Sequence, residues 1–117
     1  MKICSKGIWN ETIPGIHFDE NGVSNFCKLQ EVMMQQYPRG EKGLKDWDAI
    51  INSMIKNKGK SAYHCVVGVS GGVDSSYLMV LLKEAGLNPL AVNLDNGFNS
   101  EISVQNIFKI TKRLNID

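Results

Sequence analysis

Six consecutive residues, Ser70-Gly71-Gly72-Val73-Asp74-Ser75, restrict what this chain can fold into more than any other feature. They follow an apolar, β-branched run from Tyr63 to Val69 and precede a helical pattern from Ser76 to Gly86. A buried strand that feeds a glycine turn and then a helix start is a device for holding phosphate. Glycines let the backbone approach phosphate oxygens closely, because no Cβ stands in the way. The unpaired N–H groups of the first helical turn then point at the anion, and the helix dipole adds to the attraction.

The turn is not a Walker P-loop, which carries a lysine for the outer phosphates. No lysine occurs here, and Asp74 sits in the turn itself. A carboxylate beside a polyphosphate repels it unless a cation lies between, so the pattern points to Mg²⁺ together with phosphate. The spacing also differs from the dinucleotide fingerprint Gly-x-Gly-x-x-Gly. A glycine-rich strand–helix turn with no ligand is the alternative.

The second half of the chain reads as α/β. A first strand over residues 63–69 is apolar on both faces, as a central parallel strand is. A helix from about Asp74 to Ala85 places Leu78, Leu81, Leu82 and Ala85 on one side, and Gly86 occupies a C-cap position. Residues 89–94 read as a second strand, and Asp95 to Phe98 as a turn. Asn99 or Ser100 caps a further helix whose apolar side includes Ile102, Phe108 and Leu114, with Ile107 and Ile110 nearby. This βαβα order favours a parallel sheet with right-handed crossovers. Residues 114–117 look like a helix end entering a third strand. Two parallel strands with one helix each cannot cover both sheet faces, so the expectation is an incomplete doubly wound sheet belonging to a larger domain. A small protein that completes its sheet by oligomerising is the alternative.

In a doubly wound sheet, ligands sit beyond the carboxyl ends of the strands. Ser70 to Ser75 and Asp95 to Ser100 both follow such ends, so the two loops should be neighbours. Asp95, in an Asp-Asn-Gly turn, fits there for its backbone tolerance.

Charge narrows the classes. With 13 basic and 12 acidic side chains the net charge is near zero, and no basic run argues for nucleic acid. The start, Met1 to Gly7, has no apolar signal core, and no apolar run is long enough to span a membrane. The expectation is a cytoplasmic protein with neither membrane nor nucleic-acid partners.

The first 43 residues are expected to form a hairpin segment and a linker ahead of the α/β domain of residues 44–117. Asn21-Gly22 lies between two extended runs within residues 15–26, a type I′ hairpin signal. Cys4 precedes this hairpin and Cys27 follows it, which can bring them close. A structural zinc site needs four ligands, usually as Cys-x-x-Cys pairs, but positions 7 and 24 are Gly and Ser. Small buried thiols are the simpler expectation. Residues 37–43 read as a polar linker, and residues 44–58 as an amphipathic helix with Leu44, Trp47, Ile50, Ile51, Met54 and Ile55 on one face. That face packs on the sheet or serves a substrate or partner.

Ser70 to Ser75 match the Ser-Gly-Gly-x-Asp-Ser signature of the PP-loop ATP pyrophosphatases, a superfamily that includes GMP, asparagine and NAD synthetases and tRNA-thiolating enzymes. The resemblance implies an adenine nucleotide alpha hydrolase-like fold and cleavage of ATP between its α and β phosphates. The stretch from Cys4 through Cys27, CSKGIWNETIPGIHFDENGVSNFC, together with Ser70 to Ser76 and Asp95 to Ser100, resembles the N-acetyl sugar amidotransferase family. Its members act in surface-polysaccharide and nonulosonate-type sugar biosynthesis. That likeness spans nearly all of this chain but about the first third of the family's usual length. Many relatives carry two Cys-x-x-Cys pairs where this chain has Gly7 and Ser24.

The resemblance implies ATP and Mg²⁺ as cofactors, with Ser70, Gly71, Gly72, Val73, Asp74, Ser75 and Ser76 around the phosphates. Asp74 would hold the metal, Asp74 and Ser75 would be catalytic, and Asp95 would meet ribose or metal, directly or through water, unless it serves the turn alone. The acceptor would be a nucleotide-linked N-acetyl sugar, and a separate glutaminase subunit would supply ammonia. Another PP-loop enzyme, such as a tRNA thiolase or amide synthetase, and a non-catalytic ATP-binding fragment are the alternatives.

Overall fold

The computed structural model describes all of residues 1–117, which form two compact units, Met1–Asp46 and Trp47–Asp117. In the first unit, helix α1 spans Asn25–Gln36, and helix α2 begins at Gly40 and runs to Asn57 in the second unit. The expected type I′ hairpin is not what forms. Asn21 keeps a negative φ, whereas Gly22 has φ of +73°. Gly22 N–H donates to the Asp19 carbonyl and Asp19 N–H to the Val23 carbonyl, both at 3.0 Å. This is a type I turn closed by a left-handed glycine bulge. The physical reason is Asp19, whose Oδ1 accepts from the N–H groups of Asn21 and Val23 at 2.9 Å each. Pairing is limited to single bridges, Phe18 with Ser24 and Ile3 with Asn10.

Ser24 ends the extended run by capping α1, its hydroxyl accepting from the Cys27 N–H at 3.2 Å. Helix α1 lies in a stretch to which the sequence assigned nothing. The expected linker of residues 37–43 shrinks to Tyr37-Pro38-Arg39, because α2 starts four residues before the expected Leu44.

The second unit runs β1 (Cys65–Gly68), α3 (Val73–Glu84), β2 (Pro89–Val92) and α4 (Glu101–Leu114). The strands are parallel, with Val66 opposite Leu90 and Val67 opposite Ala91. Both are shorter than the expected 63–69 and 89–94. Beyond them, Val69 N–H still donates to the Val92 carbonyl at 2.9 Å, and Asn93 Nδ2 donates to the Val69 carbonyl at 2.7 Å.

Val67, Val69, Met79, Leu82, Leu87 and Ile116 form the core with Ile51 of α2, and Trp47 and Met54 pack against it. The other apolar residues of α2's expected face, Leu44, Ile50 and Ile55, are exposed. On α3 the buried residues are Met79, at 0% exposure, and Leu82, while Leu78 turns outward. Leu82 and Ala85 of the expected α3 face thus meet the core, Met79 joins them, and Leu78 falls outside. The helix starts at Val73 directly after the glycine turn, and this phase brings Met79 and Leu82, one turn apart, onto the core. At its far end, Gly86 at φ +78° lets Leu87 N–H reach back to the Leu82 carbonyl, a Schellman closure.

On α4 the core-facing residues are Ile107, Ile110 and Leu114, spaced as one helical face. Ile102 and Phe108, expected on that face, are 71% and 69% exposed. Phe108 lies about 100° round the helix from Ile107, so one of these neighbours must point away. Likewise β1 is buried on one face alone: Val67 is buried and Val66 is 67% exposed. At the other end of the unit, the Asp117 carbonyl accepts from Ala91 N–H at 2.8 Å. Neighbouring residues of a parallel strand bond to opposite sides, so this contact is on the edge of β2 turned away from β1. No helix is long and apolar enough to cross a membrane.

Candidate functional site

The turn between β1 and α3 is held by its own serines. Ser70 N–H donates to Ser75 Oγ at 3.3 Å, and the two hydroxyls lie 3.4 Å apart. Ser76 Oγ donates to the Gly72 carbonyl at 2.7 Å. Gly72 is the N-cap of α3 and has no side chain to offer, unlike Ser24 on α1 and Ser100 on α4. The N–H groups of the first turn, from Val73 to Ser75, therefore point out of the helix without a side-chain acceptor. Asp74 sits in that first turn, exposed, in no ion pair and accepting no hydrogen bond from the protein. A Cβ on Gly72 would come no nearer than 3.4 Å to any protein atom, so the space above the turn is open.

Helix α4 backs the turn. Asn106 Nδ2 donates to the Gly71 carbonyl at 3.1 Å. Gly71 has φ of +77°, and a Cβ there would come within 2.2 Å of the Ser103 carbonyl oxygen. Glycine at 71 is thus demanded twice, by backbone conformation and by the approach of α4.

The second loop lies at the same carboxyl end of the sheet, because β1 and β2 are parallel and in register there. Asn93 joins the two strand ends, and Asn99 Nδ2 donates to Asn93 Oδ1 at 3.1 Å. Asp95 Oδ1 accepts from Gly97 N–H, and Asn96 Oδ1 from Phe98 N–H, both at 3.1 Å. One Asp95 oxygen thus stabilises the turn, while Oδ2 has no protein partner.

A cleft of about 470 Å³ opens between α3 and α4 beside the turn. Gly71, Gly72, Val73 and Ser76 line it; Ser70, Asp74, Ser75 and Asp95 lie outside its lining. Tyr77, Val80 and Ile110 supply apolar walls, and Asn106, Lys109 and Arg113 supply polar ones. The last three were not anticipated as site residues, although their 106–109–113 spacing marks one helical face. Neither Lys109 nor Arg113 forms an ion pair. A glycine turn with open N–H groups, a free carboxylate and two unpaired cations can bind a polyphosphate and a divalent cation together.

The first unit holds the other chemically notable group. Cys4 and Cys27 Sγ atoms lie 3.4 Å apart, both buried, with Ser24 N–H donating to Cys4 Sγ at 3.1 Å. No third His, Cys, Asp or Glu joins them in a metal-binding group. Burial pushes the Cys4 thiol up, but hydrogen bonds from Ser24, Lys6 and Cys27 outweigh it and lower its pKa to about 6. Cys65 lies in β1, and burial pushes its thiol up.

The parallel β1–α3–β2–α4 order with a glycine turn after β1 defines an α/β unit, and the family match makes it an ATP-pyrophosphatase-type domain. More specifically, the sequence model of the NAD synthase family matches residues 44–117, and this chain belongs to that family. The family uses ATP and Mg²⁺. An uncharacterized protein of Methanocaldococcus jannaschii is 37% identical over 86 residues, which cover 73% of this chain and 30% of that protein. The chain therefore spans less than a third of the length of the curated relative it matches.

Proposed function

We propose that the protein activates a carbonyl-type oxygen with ATP and lets ammonia displace AMP, the acceptor being the acetamido group of a nucleotide-linked sugar. The observation that carries the ATP part is the uncapped first turn of α3 above the Gly71-Gly72 turn, with the unpartnered Asp74 beside it. The β and γ phosphates lie against the N–H groups of Val73, Asp74 and Ser75, within reach of the Ser70, Ser75 and Ser76 hydroxyls. Asp74 is the residue that would hold Mg²⁺, which offsets the phosphate charge. Asp95 Oδ2 is free to meet ribose.

In the first step the acetamido oxygen attacks the α phosphorus, the bond to the β-bridging oxygen breaks, and pyrophosphate leaves. The donors of the turn stabilise the charge that grows on that leaving group. In the second step ammonia attacks the imidate carbon, AMP leaves, and loss of a proton gives an amidine. Ammonia comes from a separate glutaminase subunit. The sugar acceptor rests on the likeness of Cys4 to Cys27 to N-acetyl sugar amidotransferases. A second reading, amide formation at an adenylated carboxylate, is favoured by the match to the NAD synthase family.

The test uses the full-length protein with Mg-ATP, ammonium and a panel of nucleotide-linked N-acetyl sugars and carboxylate acceptors. Equal release of AMP and pyrophosphate with an N-acetyl sugar supports the proposal. Release with a carboxylate alone moves the assignment to the second reading. ADP and inorganic phosphate as products contradict both.

A further inference from the structure

The buried sulfur pair of the first unit lies outside everything assigned above, and four separate features converge on it. Cys4 and Cys27 come from distant parts of the sequence, yet their Sγ atoms are 3.4 Å apart. Ser24, itself fully buried, links them: its N–H donates to Cys4 Sγ while its hydroxyl accepts from Cys27 N–H. Position 7 is glycine where a Cβ would come within 2.8 Å of Cys27 Sγ, so the loop after Cys4 lies directly over the second sulfur. Trp9 packs on Phe26 with ring centroids 5.5 Å apart, in the same loop and the same first turn of α1.

We infer that Cys4 and Cys27 form a reversible oxidation site, closing to a disulfide under peroxide and tying the N-terminal loop to the start of α1. The sulfurs need to approach only from 3.4 Å to about 2.0 Å. With both cysteines nearly out of solvent, a small oxidant, hydrogen peroxide, is the class that reaches them.

The chemistry balances. The Cys4 thiolate attacks one peroxide oxygen, the O–O bond breaks, and the departing hydroxide takes up a proton to become water. Cys4 is left as a sulfenic acid. Cys27 Sγ then attacks the Cys4 sulfur, the S–O bond breaks, and the oxygen leaves as a second water with the Cys27 proton. Two thiols and one peroxide thus give one disulfide and two waters. The hydrogen bonds that lower the Cys4 pKa favour the first step, because the thiolate is the nucleophile. Cys65, whose pKa burial raises, is the internal control.

The experiment treats the full chain with hydrogen peroxide, alkylates the remaining thiols, and maps the cysteines by mass spectrometry. The expected product has lost two hydrogens, carries a Cys4–Cys27 cross-linked peptide, keeps Cys65 alkylated, and reverts with dithiothreitol. The Cys65→Ser variant gives the same cross-link. Recovery of Cys4 and Cys27 as separately alkylated or singly oxidised peptides overturns the inference, as does a cross-link through Cys65.

Discussion

The side-chain amide of Asn106 donates to the Gly71 carbonyl across 3.1 Å, joining the middle of α4 to the glycine turn that opens α3. Three residues earlier on α4, the Ser103 backbone fills the space where a Cβ on residue 71 would stand. The shape of the turn is thus set by a partner 35 residues away in sequence as well as by its own glycines. Packing of α4 and the geometry of the α3 turn are coupled through this contact.

Gly71→Ala should therefore damage the whole second unit. A left-handed φ costs a residue with a Cβ about 1–2 kcal/mol, and overpacking against backbone about 1–3 kcal/mol more. Urea unfolding should show a loss of about 3 kcal/mol. Asn106→Ala removes one hydrogen bond and should cost about 1 kcal/mol. A Gly71→Ala protein as stable as the parent would refute the placement of α4.

Gly72→Ala separates stability from binding. A Cβ at 72 meets nothing closer than 3.4 Å, so urea stability should change by less than about 0.5 kcal/mol. Mg-ATP affinity should fall about tenfold or more if the proposed function holds, because the methyl then enters the space it gives to phosphate. Calorimetric titration of both proteins checks the two halves.

Asp74→Asn should leave the fold intact, since this exposed carboxylate has no protein partner. Its removal takes away a charge worth about 1.5–3 kcal/mol to a bound cation, or roughly tenfold or more in Mg-dependent nucleotide affinity. Titrations with and without Mg²⁺ measure the effect, and unchanged affinity removes Asp74 from the metal role.

The Cys4 thiol gives the first unit a pH-dependent stability. Its folded pKa, about 6, lies below the ordinary 9.0, so the folded state favours the thiolate. Its contribution is complete above 9.0, shrinks as pH falls, and is gone below about 6. Stability of the first unit, followed by Trp9 fluorescence in a Trp47→Phe background, should rise with pH across that window. Cys4→Ser should flatten the rise.

The strand–turn–helix core was legible because its signals are local: a β-branched run, two glycines and a helix start. The α4 cap was legible to within one residue, Asn99 or Ser100, for the same reason, and Ser100 takes it. Helix α1 was not, because only Cys27 of its residues is buried, while Leu29, Val32, Met33 and Met34 are exposed. Phe26, Leu29 and Met33 do recur at helical spacing, but that stripe stays largely exposed instead of entering a core. On α4, six apolar residues ring the helix, and tertiary packing alone selects Ile107, Ile110 and Leu114. Lys109 and Arg113 escaped notice because their cleft exists only once α3 and α4 lie side by side. The Asn21-Gly22 turn misled because Asp19 supplies a competing set of hydrogen bonds.

That selection on α4 is itself testable. Ile110→Ala should cost about 1–3 kcal/mol as a core truncation, whereas Phe108→Ala, on the exposed side, should stay within about 0.5 kcal/mol. Paired urea titrations decide it, and equal losses would restore the broader face expected from sequence.

The central claim is that the α3 turn holds the pyrophosphate portion of Mg-ATP. An amide NMR titration with Mg-pyrophosphate tests it most directly. The account predicts that the largest shifts fall on Gly71, Gly72, Val73, Asp74 and Ser75, and that they vanish when Mg²⁺ is chelated. Saturable shifts confined to other residues, with these five unmoved, would contradict it.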